Sequence, residues 1–325
     1  MNIARRNVLR LFLLMATSLL GAPTAMAQGY PNRPIKIIVT FVPGGGADII
    51  GRYLAQGLTL AMGQPVVVEN KPGAGGLLGV EAGLAAAPDG YTFTLISSSY
   101  TVNPSLYKLK FDPVNDMTPI VQVSQGPLLV VANPKLPVTS LADLVALGKA
   151  KPGSLNYASS GQGSALHLGA ALFADTAGFS MSHVPYKGGG AALNDLLAGQ
   201  VDLYFAATAS ALPLVKAGKL RALAVTSNKR IAALPDTPTI AESGYKGYDV
   251  TLWYGLIGPK GLPADIVARI NTEVNKVLNL KETPAKLEVD GASTAGGSAA
   301  QFHGIISREI DMWHRIVTKL GVKPE

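Results

Sequence analysis

Residues 35–48 read Ile35-Lys36-Ile37-Ile38-Val39-Thr40-Phe41-Val42-Pro43-Gly44-Gly45-Gly46-Ala47-Asp48. An apolar, mostly β-branched run ends at a proline and three glycines, and a helical pattern, Asp48 to Met62, follows at once. The run scarcely alternates, which marks a strand buried on both faces, as in parallel sheets covered by helices. Strand, glycine turn and helix together form the opening of an α/β unit.

The same grammar continues along the chain. Val66 to Val68, Thr92 to Ile96, Leu128 to Val131, Val201 to Phe205 and Leu223 to Val225 are short apolar runs bounded by Gly, Pro, Asp or Asn. Between them lie helical patterns at Gly76 to Ala87, Ser140 to Ala150, Ser164 to Thr176 and Gly189 to Ala198. The spacing predicts further helices at Pro263 to Leu278 and at the C-terminal end, where Phe302, Ile306, Ile310, Trp313 and Val317 form one stripe. Ser298 and Gln301 make a capping box before that stripe, and Gly321 stops it. Two Pro/Gly-rich stretches, Pro119 to Pro127 and Glu242 to Asp249, read as crossings between two lobes. The expected division is residues 28–124 plus 248–325 for lobe 1 and 125–247 for lobe 2, with a hinge at the crossings.

Residues 1–27 have the pattern of an export signal. Arg5, Arg6 and Arg10 precede a short apolar run, and Ala25-Met26-Ala27 is a small-x-small cleavage site. The run is shorter than the ~20 residues a spanning helix needs. The arginine pair also has twin-arginine character, with ordinary secretion the preferred route. Removing 27 of 325 residues leaves 298, and losing three arginines takes the formal charge from +7 to +4. With 6% aromatic residues and no long basic run, that balance does not point to nucleic acid. There is no cysteine, which removes disulfides, thiol catalysis and thiolate metal sites. No His/Asp/Glu spacing suggests a metal, and no cofactor is expected.

The turn at 41–48 is built to present backbone amides to an anion: glycines allow close approach, and a helix start supplies unpaired N–H groups. No Lys-Ser/Thr follows the glycines and the G-x-G-x-x-G spacing is absent, so it is neither a P-loop nor a dinucleotide fingerprint. Asp48 reads as a cap rather than a ligand contact. A second loop, Ser159-Ser160-Gly161-Gln162-Gly163-Ser164, repeats the design with hydroxyls, and Ser164 is placed as an N-cap. Ser164 and His167 raise the possibility of a hydrolase, but no G-x-S-x-G elbow surrounds the serine. A third turn, Tyr186 to Gly190, brings Lys187 and then Asp195.

These segments, in this order, resemble the tripartite tricarboxylate transporter receptors, the Bug solute-binding proteins of bacterial periplasms. The likeness is carried by Tyr30-Pro31-Asn32-Arg33-Pro34, Phe41 to Asp48, Val68-Glu69-Asn70-Lys71-Pro72-Gly73-Ala74-Gly75-Gly76 and Ala87-Pro88-Asp89-Gly90-Tyr91. It continues through Asn103 to Tyr107, Gly161 to Ser164 with His167-Leu168, Tyr186-Lys187-Gly188, Leu196 to Asp202, Ala217 to Thr226 and Leu234 to Thr239. The resemblance implies a Venus-flytrap fold, each lobe a mostly parallel sheet flanked by helices. It implies a periplasmic, monomeric, non-enzymatic receptor that passes a small carboxylate to membrane transporter subunits. A receptor for a membrane signalling partner is the alternative. The implied ligand-binding set is Phe41, Gly44, Gly45, Gly46, Ser98, Ser159, Ser160, Gly163, Ser164, Asp195 and Ala206. Where the family often carries an acidic residue after Phe205, this chain has Ala206-Ala207-Thr208, which favours an organic acid without an amine.

Overall fold

The computed structural model describes residues 29–283 and 293–322; the signal-like segment expected at 1–27 lies outside them. One curled sheet runs through residues 33–322 in the order β2-β1-β3-β9-β4-β7-β5-β6, with β8 and β10 also paired to β4. Its strands are β1 (Ile35–Val39), β2 (Val66–Asn70), β3 (Thr92–Ser97), β4 (Met117–Ala132), β5 (Asn156–Ser159), β6 (Ser182–Pro185), β7 (Leu203–Ala207), β8 (Arg221–Val225), β9 (Thr251–Pro259) and β10 (Ser293–Gly296). Around it pack α1 (Gly46–Met62), α2 (Leu77–Leu84), α3 (Ser99–Leu106), α4 (Leu141–Ala150), α5 (Ala165–Ala177), α6 (Gly189–Ala198), α7 (Thr208–Lys216), α8 (Ala264–Leu278) and α9 (Ala299–Leu320).

The outer strands are parallel: β1 pairs with β2 and β3, in keeping with the apolar run of β1, and β5 pairs with β6 and β7. The middle of the sheet is antiparallel, because β4 and β9 carry the chain between the two lobes. The stretch Pro119 to Pro127, read from the sequence as a crossing, is extended backbone within the 16-residue β4. A strand accepts prolines where the ladder is already interrupted. Accordingly, register shifts fall between Pro119 and Val121 and between Gln122 and Ser124, and Pro127 ends the pairing with β9. Beyond Pro127 the same strand pairs with β7 and β8.

Thr226, fully buried, ties the two crossings together. Its Oγ1 accepts from the Leu128 N–H (2.7 Å) and donates to the Val250 carbonyl (2.6 Å). Its own N–H and C=O bond the Leu128 carbonyl and the Val250 N–H, each at 3.0 Å. The C-terminal helix α9 packs on α3 and β4, with Phe302 edge-on to Trp253 at 5.3 Å and its capping box formed as the sequence predicts. The Trp253 indole donates to both oxygens of half-buried Glu309 (2.8 and 2.9 Å), anchoring α9 to β9.

Thr226→Val keeps the shape of the side chain but leaves the Leu128 N–H and Val250 C=O without their hydroxyl partner. Unpaired buried groups of this kind cost ~1–3 kcal/mol. Urea unfolding should show that loss as a lower midpoint at unchanged slope; an unmoved midpoint would refute the staple.

Candidate functional site

The turn after β1 is held from beneath by Asp48, in the first turn of α1. Asp48 Oδ2 accepts from the Gly44 N–H and from Arg52 Nε, both at 3.0 Å, and Oδ1 accepts from Asn70 Nδ2 at 3.0 Å. Asn70 Nδ2 also donates to the Phe41 carbonyl at 2.9 Å. Burial would raise the Asp48 pKa, but the bonds from Arg52, Gly44 and Asn70 outweigh it and hold the carboxyl below its ordinary value. Asp48 is therefore structural, but as a tie on the preceding turn rather than as the expected cap, since the N-cap of α1 is Gly45. The expectation for Gly44 is corrected: its N–H is committed to Asp48, and it does not line the cavity described next. The free donors come from the start of α1, where Gly46 and Ala47 occupy first-turn positions that have no intrahelical acceptor.

A narrow inner cavity lies against that helix start, lined by Phe41, Gly45, Gly46 and Ala47 from one lobe and by Gly189, Ala207 and Ser210 from the other. Ser97, Ser99, Ser160, Tyr204 and Tyr254 add hydroxyls, and no charged side chain lines it. The two lobes meet here backbone to backbone. A Cβ on Gly45 would lie 3.6 Å from Gly189 N and 3.8 Å from Gly190 N, so the starts of α1 and α6 face one another. A Cβ on Gly46 would lie 2.5 Å from the Tyr254 hydroxyl, which is why no larger residue fits there. The Tyr204 hydroxyl sits against Gly189, is fully buried, and has no hydrogen-bond partner in the protein. Burial pushes the pKa of Tyr204 and Tyr254 well up, so both remain neutral donors.

A wider outer cavity adjoins it, sharing Phe41 and Ser160. Gly73 to Gly76, Tyr107, Gly161, Gln162 and Pro185 to Lys187 complete its wall, with Lys187 its charged residue. The inner cavity has about 20 Å³ of free volume and the outer about 250 Å³. The first suits a single polar head group, the second the body of a small molecule.

The Ser159–Ser164 loop is only partly what its sequence suggests. Ser160 lines both cavities, whereas Ser159, Gly163 and Ser164 line neither. Their groups are spent inside the protein. Gly161 N–H donates to Ser159 Oγ (3.1 Å), Gly163 N–H to His167 Nδ1 (3.1 Å), and His167 N–H to Ser164 Oγ (3.2 Å). Ala165 N–H, at the start of α5, donates across the lobes to Ser99 Oγ (3.1 Å). This helix start is thus capped by protein, and the lobe-2 helix start that lines the inner cavity is that of α6, at Gly189. Ser98 is buried beside the two lining serines with its Oγ unpartnered. Asp195 accepts from the Tyr186 hydroxyl (2.7 Å), bracing the third turn outside both walls. Ala206 is buried behind the wall, and Ala207 forms it. Tyr204 and Tyr254, absent from the expected set, could have been found only by knowing which strand face turns to the cleft.

A serine and a histidine do meet: Ser159 Oγ lies 2.6 Å from His183 Nε2. Ser159 is fully buried outside both cavities, so this pair is not presented to a substrate. Among the described residues no helix is long and apolar enough to cross a membrane.

The family model described as the tripartite tricarboxylate transporter family receptor matches residues 50–322. Protein BugT of Bordetella pertussis is 38% identical over 96% of both chains. Among solved structures, R. palustris Rpa4515 with adipate is 34% identical, covers 91% of this chain and 100% of its own, and superposes with a TM-score of 0.88. MatC of Rhodopseudomonas palustris with bound malate is 30% identical, with coverage of 89% and 100% and a TM-score of 0.84.

Asp48→Asn keeps the shape of the tie but loses its charge. A carboxyl with a lowered pKa contributes stability that is present above ~4 and is lost as pH falls through its folded value. The variant should be ~1–2 kcal/mol less stable than the wild type at pH 7, and the gap should narrow by pH 3. Urea midpoints at the two pH values check this; a gap that does not depend on pH would remove Asp48's charge from the account.

Proposed function

Since the chain belongs to the tripartite tricarboxylate transporter receptor family, we propose that it captures an amine-free organic acid, most simply a dicarboxylate, in the cleft between its lobes. It is a solute-binding receptor, not an enzyme. One observation carries the ligand class: the inner cavity lies where two helix starts face each other, ringed by neutral donors that include the unpartnered Tyr204 hydroxyl. Helix starts favour negative charge through their free N–H groups and dipole. A carboxylate supplies the acceptors that Tyr204 and the amides of Gly46 and Ala47 lack. The rest of the molecule then extends past Phe41 and Ser160 into the outer cavity, where Lys187 meets a second acidic end.

The related proteins solved with adipate and malate hold dicarboxylates, which supports this class. No acidic side chain lines either cavity, so a ligand ammonium finds no counter-charge. Asp195 is outside both walls, and Ala207 stands in the wall near the position where the family often has an acid. The N-terminal signal pattern supports export to the periplasm, where the chain would act as a monomer, and family membership supports delivery to membrane transporter subunits. Residues 28–124 plus 248–325 and residues 125–247 would be the two lobes, closing about β4 and the Thr226 tie.

A panel of succinate, glutarate, adipate and malate beside aspartate and glutamate tests the class by thermal shift and calorimetry. At a hundred times its dissociation constant a ligand stabilises the fold by ~2.7 kcal/mol. The acids should do so, and aspartate and glutamate should bind at least ~10-fold more weakly, a difference of ~1.4 kcal/mol. Tighter binding of the amino acids would overturn the amine-free assignment. Two variants test the site. Tyr204→Phe removes an unpartnered buried hydroxyl, so stability should hold or rise while adipate affinity falls; equal affinity would take Tyr204 out of the site. Gly45→Val should wedge the α1 and α6 starts apart at a cost of ~1–3 kcal/mol, lowering adipate affinity ~10- to 100-fold with the fold intact. Unchanged affinity would move the site elsewhere.

A further inference from the structure

Two histidines lie beneath the loop 159–164. His167 is on the first turn of α5 and His183 on β6, and their rings stack with centroids 3.8 Å apart and planes 8° from parallel. Tyr157 of β5 stacks beside them, 5.0 Å from His183 and 6.2 Å from His167. Each ring holds one end of the loop. His167 Nδ1 accepts the Gly163 N–H at 3.1 Å, so Nδ1 is bare and the ring proton sits on Nε2. His183 Nε2 shares a 2.6 Å hydrogen bond with Ser159 Oγ, which in turn accepts the Gly161 N–H at 3.1 Å. The residues between these ties, Ser160 to Gln162, are the ones that reach the cavities.

We propose that His167 and His183 are positioning residues for the solute cleft: as a neutral stacked pair they hold loop 159–163 in its binding shape, and proton uptake by the pair releases it. A proton on His167 Nδ1 would face the Gly163 N–H donor to donor and break that bond. A second proton on His183 would place like charges 3.8 Å apart in a buried site, where repulsion is weakly screened. The titratable side chains on the surrounding elements include Tyr157 on β5, Tyr204 on β7, Tyr107 after α3, and Tyr186 and Lys187 after β6. Asp202, just before β7, accepts from the Asn156 N–H, and α9, which packs on α5, carries Arg308, Glu309, Asp311, His314 and Arg315. Asp195 on α6 is engaged by Tyr186, and Asp175, later on α5, by Lys319 of α9. No carboxylate among the described residues is hydrogen-bonded to either ring.

Burial, then the charge of His183, brings His167 down to about 3, and burial brings His183 down to about 4. A free histidine titrates near ~6.5. The released loop therefore takes up protons that the held loop refuses. The held shape is fully favoured above ~6.5 and loses stability as pH falls from there toward 4.

The tie can be tested without a ligand. Ring ¹⁵N–¹H NMR reads the His167 tautomer, and amide exchange, corrected for intrinsic rate, reads protection at Gly161 and Gly163 from pH 7.5 to 4.5. The wild type should show the Nε2–H tautomer, with protection at Gly163 falling ~10-fold or more between pH 6.5 and 4.5. His167→Gln, whose neutral amide can accept from Gly163 but cannot take a proton, should lose distinctly less protection at Gly163 over this range than the wild type, the remaining loss coming from His183. His167→Leu should be poorly protected throughout. Adipate affinity, measured in parallel, should fall more steeply with acid in the wild type than in His167→Gln. An Nδ1–H tautomer, or the same pH course in the wild type and His167→Gln, would overturn the proposal. The consequence for affinity rests on the cleft being the acid site. If adipate does not bind at all, the ligand assignment fails while the amide data still decide the histidine tie.

Discussion

The structure depends on one close approach, that of the Gly45 turn of lobe 1 to the Gly189–Gly190 turn of lobe 2. Backbone meets backbone there with no side chain between, and two helix starts are brought to one small cavity. Each start alone is an ordinary polar terminus. Facing each other across walls of Tyr, Ser and Phe, they form the small cavity on which the carboxylate proposal rests, and no arginine lines it. The glycines elsewhere on the cleft rim obey the same constraint: a Cβ on Gly188 would strike Val42, and one on Gly75 would press on the Gln162 carbonyl.

That approach is possible because one strand serves both lobes. β4 pairs with β9 up to Pro127 and with β7 and β8 beyond it, so the lobes share a spine rather than a flexible linker. Thr226 binds the outgoing crossing at Leu128 to the returning one at Val250. Two chain passages joined this way can bend together, but they cannot slide independently. The closing surfaces therefore meet in a fixed register, which a site made of backbone amides requires.

The parts legible in the sequence were those with local causes. The glycine turns, the Ser164 and Ser298 caps and the stripe on α9 are written in neighbouring residues. α3 and α7 were hidden because each contains a proline, Pro104 and Pro213, that reads as a helix breaker. β9 was hidden because Gly255 and Gly258 interrupt its apolar run; both are needed there, since Phe302 and Leu262 occupy the space a Cβ would take. Among the residues that line the cavities, Phe41, Gly45, Gly46 and Ser160 belong to turns whose glycine and hydroxyl chemistry is visible in the sequence. Ser159, Gly163, Ser164 and the Gly44 amide were misjudged for another reason. Whether a donor is free depends on what the rest of the chain has already bonded to it, and His167, Ser99 and Asp48 had claimed these or their neighbours.

The choice of neutral donors has a consequence for release. A buried arginine–carboxylate pair would be strong only while fully enclosed, and separating it would leave two bare charges. Amide and hydroxyl donors face a smaller penalty when the cleft opens, because water replaces their acceptor. Tyr204 adds a bias of its own. Its hydroxyl has no acceptor in the protein, so closing the cleft over a solute that does not reach it leaves a buried donor unpaired, at ~1–3 kcal/mol. A solute with a correctly placed oxygen removes that cost. If the cleft is the carboxylate site proposed above, closure reports on the head group: the lobes come together most favourably around a molecule that satisfies Tyr204, and release breaks no buried ion pair.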